Sequence, residues 1–267
     1  MNAVTSKAQT LKPEDMNRID LGGKVALVNG ASRGIGEAIA RGLAACGARV
    51  VLSSRKLESV ESVAASIREA GGQADARRCH AGRLEDLEAL VDWIGDRHGR
   101  LDILINNAAT NPYYGPAAEL PPDSFDKTVE VNLKGPYFAM SRAIPLMIAS
   151  GGGSIVNVAS IAALIAMRGQ AVYAMTKAGL ISLTRSFARE YGQEGVRVNA
   201  VLPGVVETRF ASALVEDPGV QKWISRLPVP RVGQPEDMVA GVLFLVSDQA
   251  AFTTGTTLVM DGGATLG

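Results

Sequence analysis

The chain has 267 residues, 47% of them hydrophobic and 20% charged, and its 27 basic side chains balance its 27 acidic ones. Hydrophobic content near one half excludes a disordered chain, and zero net charge argues against a broad nucleic-acid surface, which needs cations to displace counterions. Two cysteines and two histidines are too few for a disulfide scaffold or a zinc site, and they suit a reducing, cytoplasmic setting.

Residues 1–20 read as a polar N-terminal extension without the apolar stretch of a signal peptide, and no later run approaches transmembrane length, so no membrane is expected. From Lys24 onward, short apolar runs alternate with amphipathic stretches. Val25 to Val28 reads as a buried strand, and Ile35, Ala38, Ile39, Leu43 and Cys46 follow at helical spacing. Val50 to Leu52 is strand-like, and Leu57, Val60, Val63, Ala64 and Ile67 share one helix face before Gly71-Gly72. A third helix carries Leu84, Leu87, Leu90, Val91 and Ile94, ahead of a strand at Ile103 to Ile105. Further strands are expected at Ser154 to Ala159, Val196 to Val201 and Thr256 to Met260, separated by helical patterns over 124–148, 172–192 and 235–247. Such alternation predicts an α/β protein: one Rossmann domain over 21–267, with a doubly wound parallel sheet and helices on both faces.

The segment Asn29 to Gly36, N-G-A-S-R-G-I-G, sits between the first strand and the first helix. Its glycines permit a tight turn and close backbone approach, while the helix N-terminus offers free amides and partial positive charge to a pyrophosphate. Gly30, Ser32, Arg33, Gly34, Ile35 and Gly36 are therefore candidate cofactor contacts. At the end of the second strand, an NAD site usually carries a carboxylate for the ribose 2′-hydroxyl. Here Ser54 and Arg55 stand instead, with Arg33 in the glycine loop. Guanidinium forks match a 2′-phosphate, which favours NADP(H), with NAD(H) use left open; the alternative reading is solvated charges at a helix start. Tyr173 and Lys177 are four residues apart on a helical pattern, one turn apart on one face. A phenol is a poor acid–base group near neutrality, and a neighbouring ammonium would lower its pKa.

Together with Asn106-Asn107-Ala108-Ala109, Asn132, Ser160, Pro203-Gly204 and Asp261-Gly262-Gly263, these motifs fall in an order that resembles the short-chain dehydrogenase/reductase family over residues 22 to 263. Within it, S-S-R-K, C-H-A-G and N-N-A-A-T-N-P are similar to the NADP-dependent carbonyl reductase (DHRS4-like) branch. The resemblance implies an oxidoreductase that interconverts a ketone or aldehyde and an alcohol. Tyr173 would be the acid/base, Ser160 would bond the same substrate oxygen, and Lys177 would bind the nicotinamide-side ribose and tune Tyr173. Asn132, at a bend in its helix, would hold a relay water. Asn107, Ala108, His80 and Ala81 would border the adenosine, His80-Ala81 standing where many members carry Asp-Val. Val206 and Thr208, after Pro203 and Gly204, would hold the carboxamide. Asn29 replaces the family's usual threonine and is expected to bond within the loop.

The resemblance also implies a homodimer or homotetramer pairing the helices of 124–148 and 172–192. No metal is expected, and the partner is a small carbonyl or alcohol. A substrate loop is expected over about 208–232, with Phe210, Leu214, Trp223, Ile224 and Leu227, joined by Pro112, Tyr113 and Tyr114, either lining an apolar cleft or simply packing. The competing reading is a cofactor-binding regulator without turnover, which would be expected to lose Tyr173 or Lys177.

Overall fold

A computed structural model describes residues 19–266. Seven parallel strands form one sheet in the order β3-β2-β1-β4-β5-β6-β7. They are β1 (Val25–Asn29), β2 (Arg49–Ser54), β3 (Gln73–Arg78), β4 (Ile103–Asn106), β5 (Gly153–Val158), β6 (Val196–Pro203) and β7 (Thr257–Met260). The helices are α1 (Gly34–Ala45), α2 (Leu57–Glu69), α3 (Leu84–His98), α4 (Pro122–Val129), α5 (Gly135–Ala149), α6 (Ala171–Tyr191), α7 (Ser212–Val215), α8 (Pro218–Ile224) and α9 (Val239–Val246).

Strands buried on both faces explain the unbroken apolar runs. In β1, Ala26 and Val28 join a core with Ile39 and Leu43 of α1, Val60 and Val63 of α2, and Val242 and Leu245 of α9. Val25 and Leu27 point the other way, toward Leu87, Leu90 and Ile94 of α3, Ala139 and Met140 of α5, and Phe187 of α6. The fold is therefore the doubly wound Rossmann arrangement expected. Among the described residues, no helix is long and apolar enough to cross a membrane.

Two elements depart from the sequence pattern. β3 was not expected, because Gln73–Arg78 has no apolar run and offers only Ala74 and Ala76 between polar residues. It is an edge strand held by its pairing with β2, and an edge needs no second buried face. The helical pattern of 124–148 is not one α-helix: Glu130–Lys134 forms a π-turn between α4 and α5. Pro136 has no N–H to give the carbonyl of Asn132 four residues earlier, so the α-helical ladder cannot run through this point.

Candidate active site

The strand order reverses between β1 and β4, and their C-terminal ends open the crevice where ligands bind in such sheets. A row of buried side chains crosses the sheet here. Ser53 Oγ donates to Asn29 Oδ1 at 2.6 Å, Asn29 Nδ2 to Asn106 Oδ1 at 3.4 Å, and Asn106 Nδ2 to Asn157 Oδ1 at 2.9 Å. Asn157 Nδ2 then donates to Thr184 Oγ1 of α6 at 2.9 Å. Successive members face one another in the strand register. Asn29 thus braces neighbouring strands rather than bonding within its loop, since it is the last residue of β1 and its side chain points along the sheet.

The glycine loop closes tightly on this row. Gly30 has φ +84°, and a Cβ there would stand 2.7 Å from the backbone of Ala108. Asn107 Nδ2 donates to the Gly30 carbonyl at 2.8 Å, fixing the loop from the β4 side. Gly34, at φ +58°, faces Thr208, whose Cγ2 a Cβ would meet at 3.0 Å. The loop of residues 204–208 therefore lies against the start of α1. Arg33 precedes α1 in extended conformation, and no side chain caps the helix. The first-turn amides are left to an external acceptor, so loop and helix together fit a dinucleotide's pyrophosphate.

Arg33 and Arg55 are exposed at the ends of adjacent strands, and neither has an ion pair among the described residues. Ser54 Oγ is tied locally, donating to the Lys56 carbonyl at 3.0 Å. His80 is engaged on both ring nitrogens: Gly82 N–H donates to Nδ1 at 3.2 Å, and Lys127 Nζ lies 3.2 Å from Nε2. Burial, then the Lys127 charge, hold its pKa below the usual imidazole value. The neighbouring thiol of Cys79 is pushed up to about 12 by burial, which leaves it unreactive. Ala81 and Ala108 border a cavity of about 180 Å³ between the β1 and β4 ends and the π-turn.

On the other side of β4, the four candidate catalytic residues converge. Asn132 is fully buried in the π-turn, and its side chain clips the backbone of Thr110: Oδ1 accepts from Thr110 N and Nδ2 donates to Thr110 O, both at 2.8 Å. Asn132 Nδ2 also lies 3.3 Å from Thr176 Oγ1, beside Tyr173 and Lys177 on α6. Ser160 sits just beyond β5, accepts from Ala162 N at 3.2 Å, and shares a side-chain hydrogen bond with Tyr173. Lys177 Nζ donates to the Val158 carbonyl at 2.8 Å and lies 5.6 Å from the centre of the Tyr173 ring. That bond uses one of three ammonium protons.

Burial decides both titrations in the chain by itself. It pushes Tyr173 up to about 12, against the smaller lowering by Ser160, and it brings Lys177 down to about 8. The sequence expectation of a lowered Tyr173 is therefore reversed here, because desolvation outweighs a cation that is not in contact with the phenol oxygen.

Beyond β6, Gly204 packs on Asp261, whose carboxylate accepts from Gly263 N and Thr265 N at 2.8 Å each. Val206 is buried and bridges to Gly233. Of the residues expected in an apolar cleft, Phe210 stacks 5.9 Å from Tyr173 and is half exposed. Ile224 is buried, and Trp223 and Leu227 are partly buried against the cluster that holds Leu180, Ile181 and Leu202. Those three serve packing. Sequence reasoning missed Asn157 and Thr176, whose only signal is burial beside polar neighbours.

Residues 30–265 match the family model described as enoyl-(acyl carrier protein) reductase. Over 248 residues the chain is 40% identical to "Dehydrogenase/reductase SDR family member 4" of Oryctolagus cuniculus, spanning 92% of this chain and 95% of that protein. The chain belongs to the short-chain dehydrogenase/reductase family. It is 39% identical to an uncharacterized oxidoreductase of Thermotoga maritima, over 91% of this chain and 98% of the relative. Among solved structures, a gluconate 5-dehydrogenase from Burkholderia cenocepacia in complex with NADP and tartrate superposes with a TM-score of 0.90 at 34% identity, covering 94% and 99% of the two chains. As a short-chain dehydrogenase/reductase, the protein is an oxidoreductase acting on CH–OH or C=O groups with a nicotinamide cofactor.

Proposed function

We propose that the protein is an NADP(H)-dependent oxidoreductase that interconverts a ketone or aldehyde and its alcohol, with Tyr173 as the acid/base. The observation that carries this reading is the convergence of Ser160, buried Tyr173, the buried ammonium of Lys177 and buried Asn132 at the ends of β4 and β5. When bound, NADP(H) supplies or accepts the hydride. A phenol held near 12 keeps its proton at neutral pH, the form that reduction requires at the carbonyl oxygen. Ser160 Oγ accepts from Ala162 N, and its single O–H, which faces the phenol in the free protein, would turn to donate to the same substrate oxygen. Lys177 retains two ammonium protons for the ribose hydroxyls and supplies the positive field that makes phenolate accessible during oxidation. The Asn132 side chain is spent on Thr110, and its main-chain carbonyl, which gets no N–H from Pro136, would hold the relay water.

The amides of Gly34, Ile35 and Gly36 would cradle the pyrophosphate, with Gly30, Ser32, Asn107 and Ala108 shaping the loop. His80 and Ala81 would border the adenine, and Pro203, Gly204, Val206 and Thr208 the carboxamide. Arg33 and Arg55, exposed and without an ion pair among the described residues, favour a 2′-phosphate. The segment 208–232 would cover the substrate. Exposed Phe125, Tyr137 and Ile148 on α4 and α5, with Val259 on β7, support a homodimer or homotetramer, and a chain with only two cysteines suits a reducing, cytoplasmic setting. The test is loss of reduced-nicotinamide absorbance with a panel of ketones. Consumption with NADPH is expected, and cofactor binding with no turnover on any ketone or alcohol would instead favour a regulator.

A further inference from the structure

A shallow cleft opens beside Tyr173, between the loop after β4, the end of α4 and the start of α6. Its polar lining consists of Asn111, Tyr113, Thr128, Gln170 and Tyr173, and no charged side chain lines it. Two of these groups are already satisfied: Tyr113 Oη donates to the Pro116 carbonyl at 2.9 Å, and Thr128 Oγ1 to the Ser124 carbonyl at 2.6 Å. Gln170 is different. It is only 5% exposed, it stands immediately before α6 without capping it, and its carboxamide has no hydrogen-bond partner among the described residues. Asn111 is half-buried, and its carboxamide is equally without a partner among them. Neither carboxamide is sealed from solvent, so both keep their polar atoms open to the cleft, Gln170 three residues from Tyr173, where a polar group entering from outside can bond them.

The chemistry of that group follows from the donors and acceptors. A carboxamide presents N–H and C=O together, and a hydroxyl, itself donor and acceptor, satisfies both. A bare carbonyl oxygen only accepts, which leaves the amide carbonyl orphaned. A carboxylate or phosphate would enter a lining with no cation to meet it. We propose that Gln170 and Asn111 bind a neutral hydroxyl adjacent to the reacting carbon, so that the substrate is an α-hydroxyketone or its vicinal diol. The proposal rests on the oxidoreductase reading above and names the substrate class for that site. It also separates this chain from the gluconate 5-dehydrogenase it resembles, since gluconate bears a carboxylate.

The test compares kcat/KM with NADPH for 2-hydroxycyclohexanone and for cyclohexanone in the wild type, Gln170→Leu and Asn111→Leu. The wild type is expected to favour the hydroxylated ketone. Each variant is expected to lose about tenfold on it, mainly through KM, as one lost hydrogen bond implies, and no more than about twofold on cyclohexanone. Unchanged NADPH affinity, read by nucleotide fluorescence, shows that a variant is folded; if Gln170→Leu disturbs the start of α6, Asn111→Leu carries the comparison. Equal losses on both ketones, or a wild type indifferent to the hydroxyl, would overturn the proposal while leaving the oxidoreductase reading intact. Turnover of neither ketone with either nucleotide would overturn that reading and the proposal with it.

Discussion

The cofactor half of the molecule and the segment from 204 to 232 are held together by different means. In the first, the ends of β1, β2, β4 and β5 are joined by the Ser53–Asn29–Asn106–Asn157 row, fully buried, with Asn107 clamping the glycine loop. In the second, α7 and α8 are one to two turns long, α8 is capped by Asp217, and Phe210 and Val229 stay exposed. Its far end is anchored by a bidentate pair, Arg231 to Asp237, which with the Gln234 amide holds the Asp237 carboxyl at about 2. The difference teaches where precision is needed. On the proposed function, a pyrophosphate and a hydride-transfer geometry are the same for every substrate and call for the closely bonded frame, whereas a segment covering the substrate can vary without disturbing it.

The largest effect expected from breaking this comparison is at Tyr173. Tyr173→Phe keeps the ring against Phe210 and removes the proton, so turnover should fall about 10²–10⁴-fold with NADPH affinity nearly unchanged. Stopped-flow turnover beside a nucleotide titration checks both.

Lys177→Met should weaken NADPH binding by roughly ten- to a hundredfold, the size of one charge-assisted hydrogen bond. The sign of the pH dependence follows from burial: with its pKa lowered to about 8, Lys177 is charged below that pH and loses its proton above it. Wild-type affinity should therefore decline as pH rises through about 8, and the variant should lack that decline. Binding titrations from pH 6 to 10 read it directly.

The smallest effects are on stability, and they contrast the two halves. Asn157→Ala takes the acceptor from Asn106 Nδ2 and leaves Thr184 Oγ1 with only its bond to the Leu180 carbonyl, and should cost about 1–3 kcal/mol in urea unfolding. Phe210→Ala should cost no more than about 0.5 kcal/mol while altering KM for apolar ketones.

The same contrast explains what was legible in the sequence. Strand runs such as V-A-L-V and the glycine loop are readable because burial on both faces and close phosphate approach each demand few residue types. Gln73–Arg78 was not, since an edge strand makes no such demand. The bend at Asn132 came from family resemblance, and its cause, a proline four residues on, shows only when the helical ladder is followed atom by atom. Tyr173 and Lys177 are readable from their spacing, and Ser160 from the resemblance to the family. Gln170 and Asn111 could not be, because an ordinary glutamine or asparagine becomes informative only once its burial and lack of partners are seen. The apolar residues of α8 read equally well as cleft or core, and packing assigned Trp223 and Ile224 to the latter.

The most direct test of the account is the ratio of kcat/KM for NADPH over NADH, measured on a turned-over ketone at low and high salt. The wild type should favour NADPH by about ten- to a hundredfold if, as proposed, Arg55 and Arg33 meet the 2′-phosphate with charge-assisted bonds, and salt should then reduce that ratio. Replacing Ser54 with Asp and Arg55 with Leu should erode or reverse it, since a carboxylate repels phosphate and accepts the ribose hydroxyl. A wild-type ratio favouring NADH, or one indifferent to both substitutions, would contradict it.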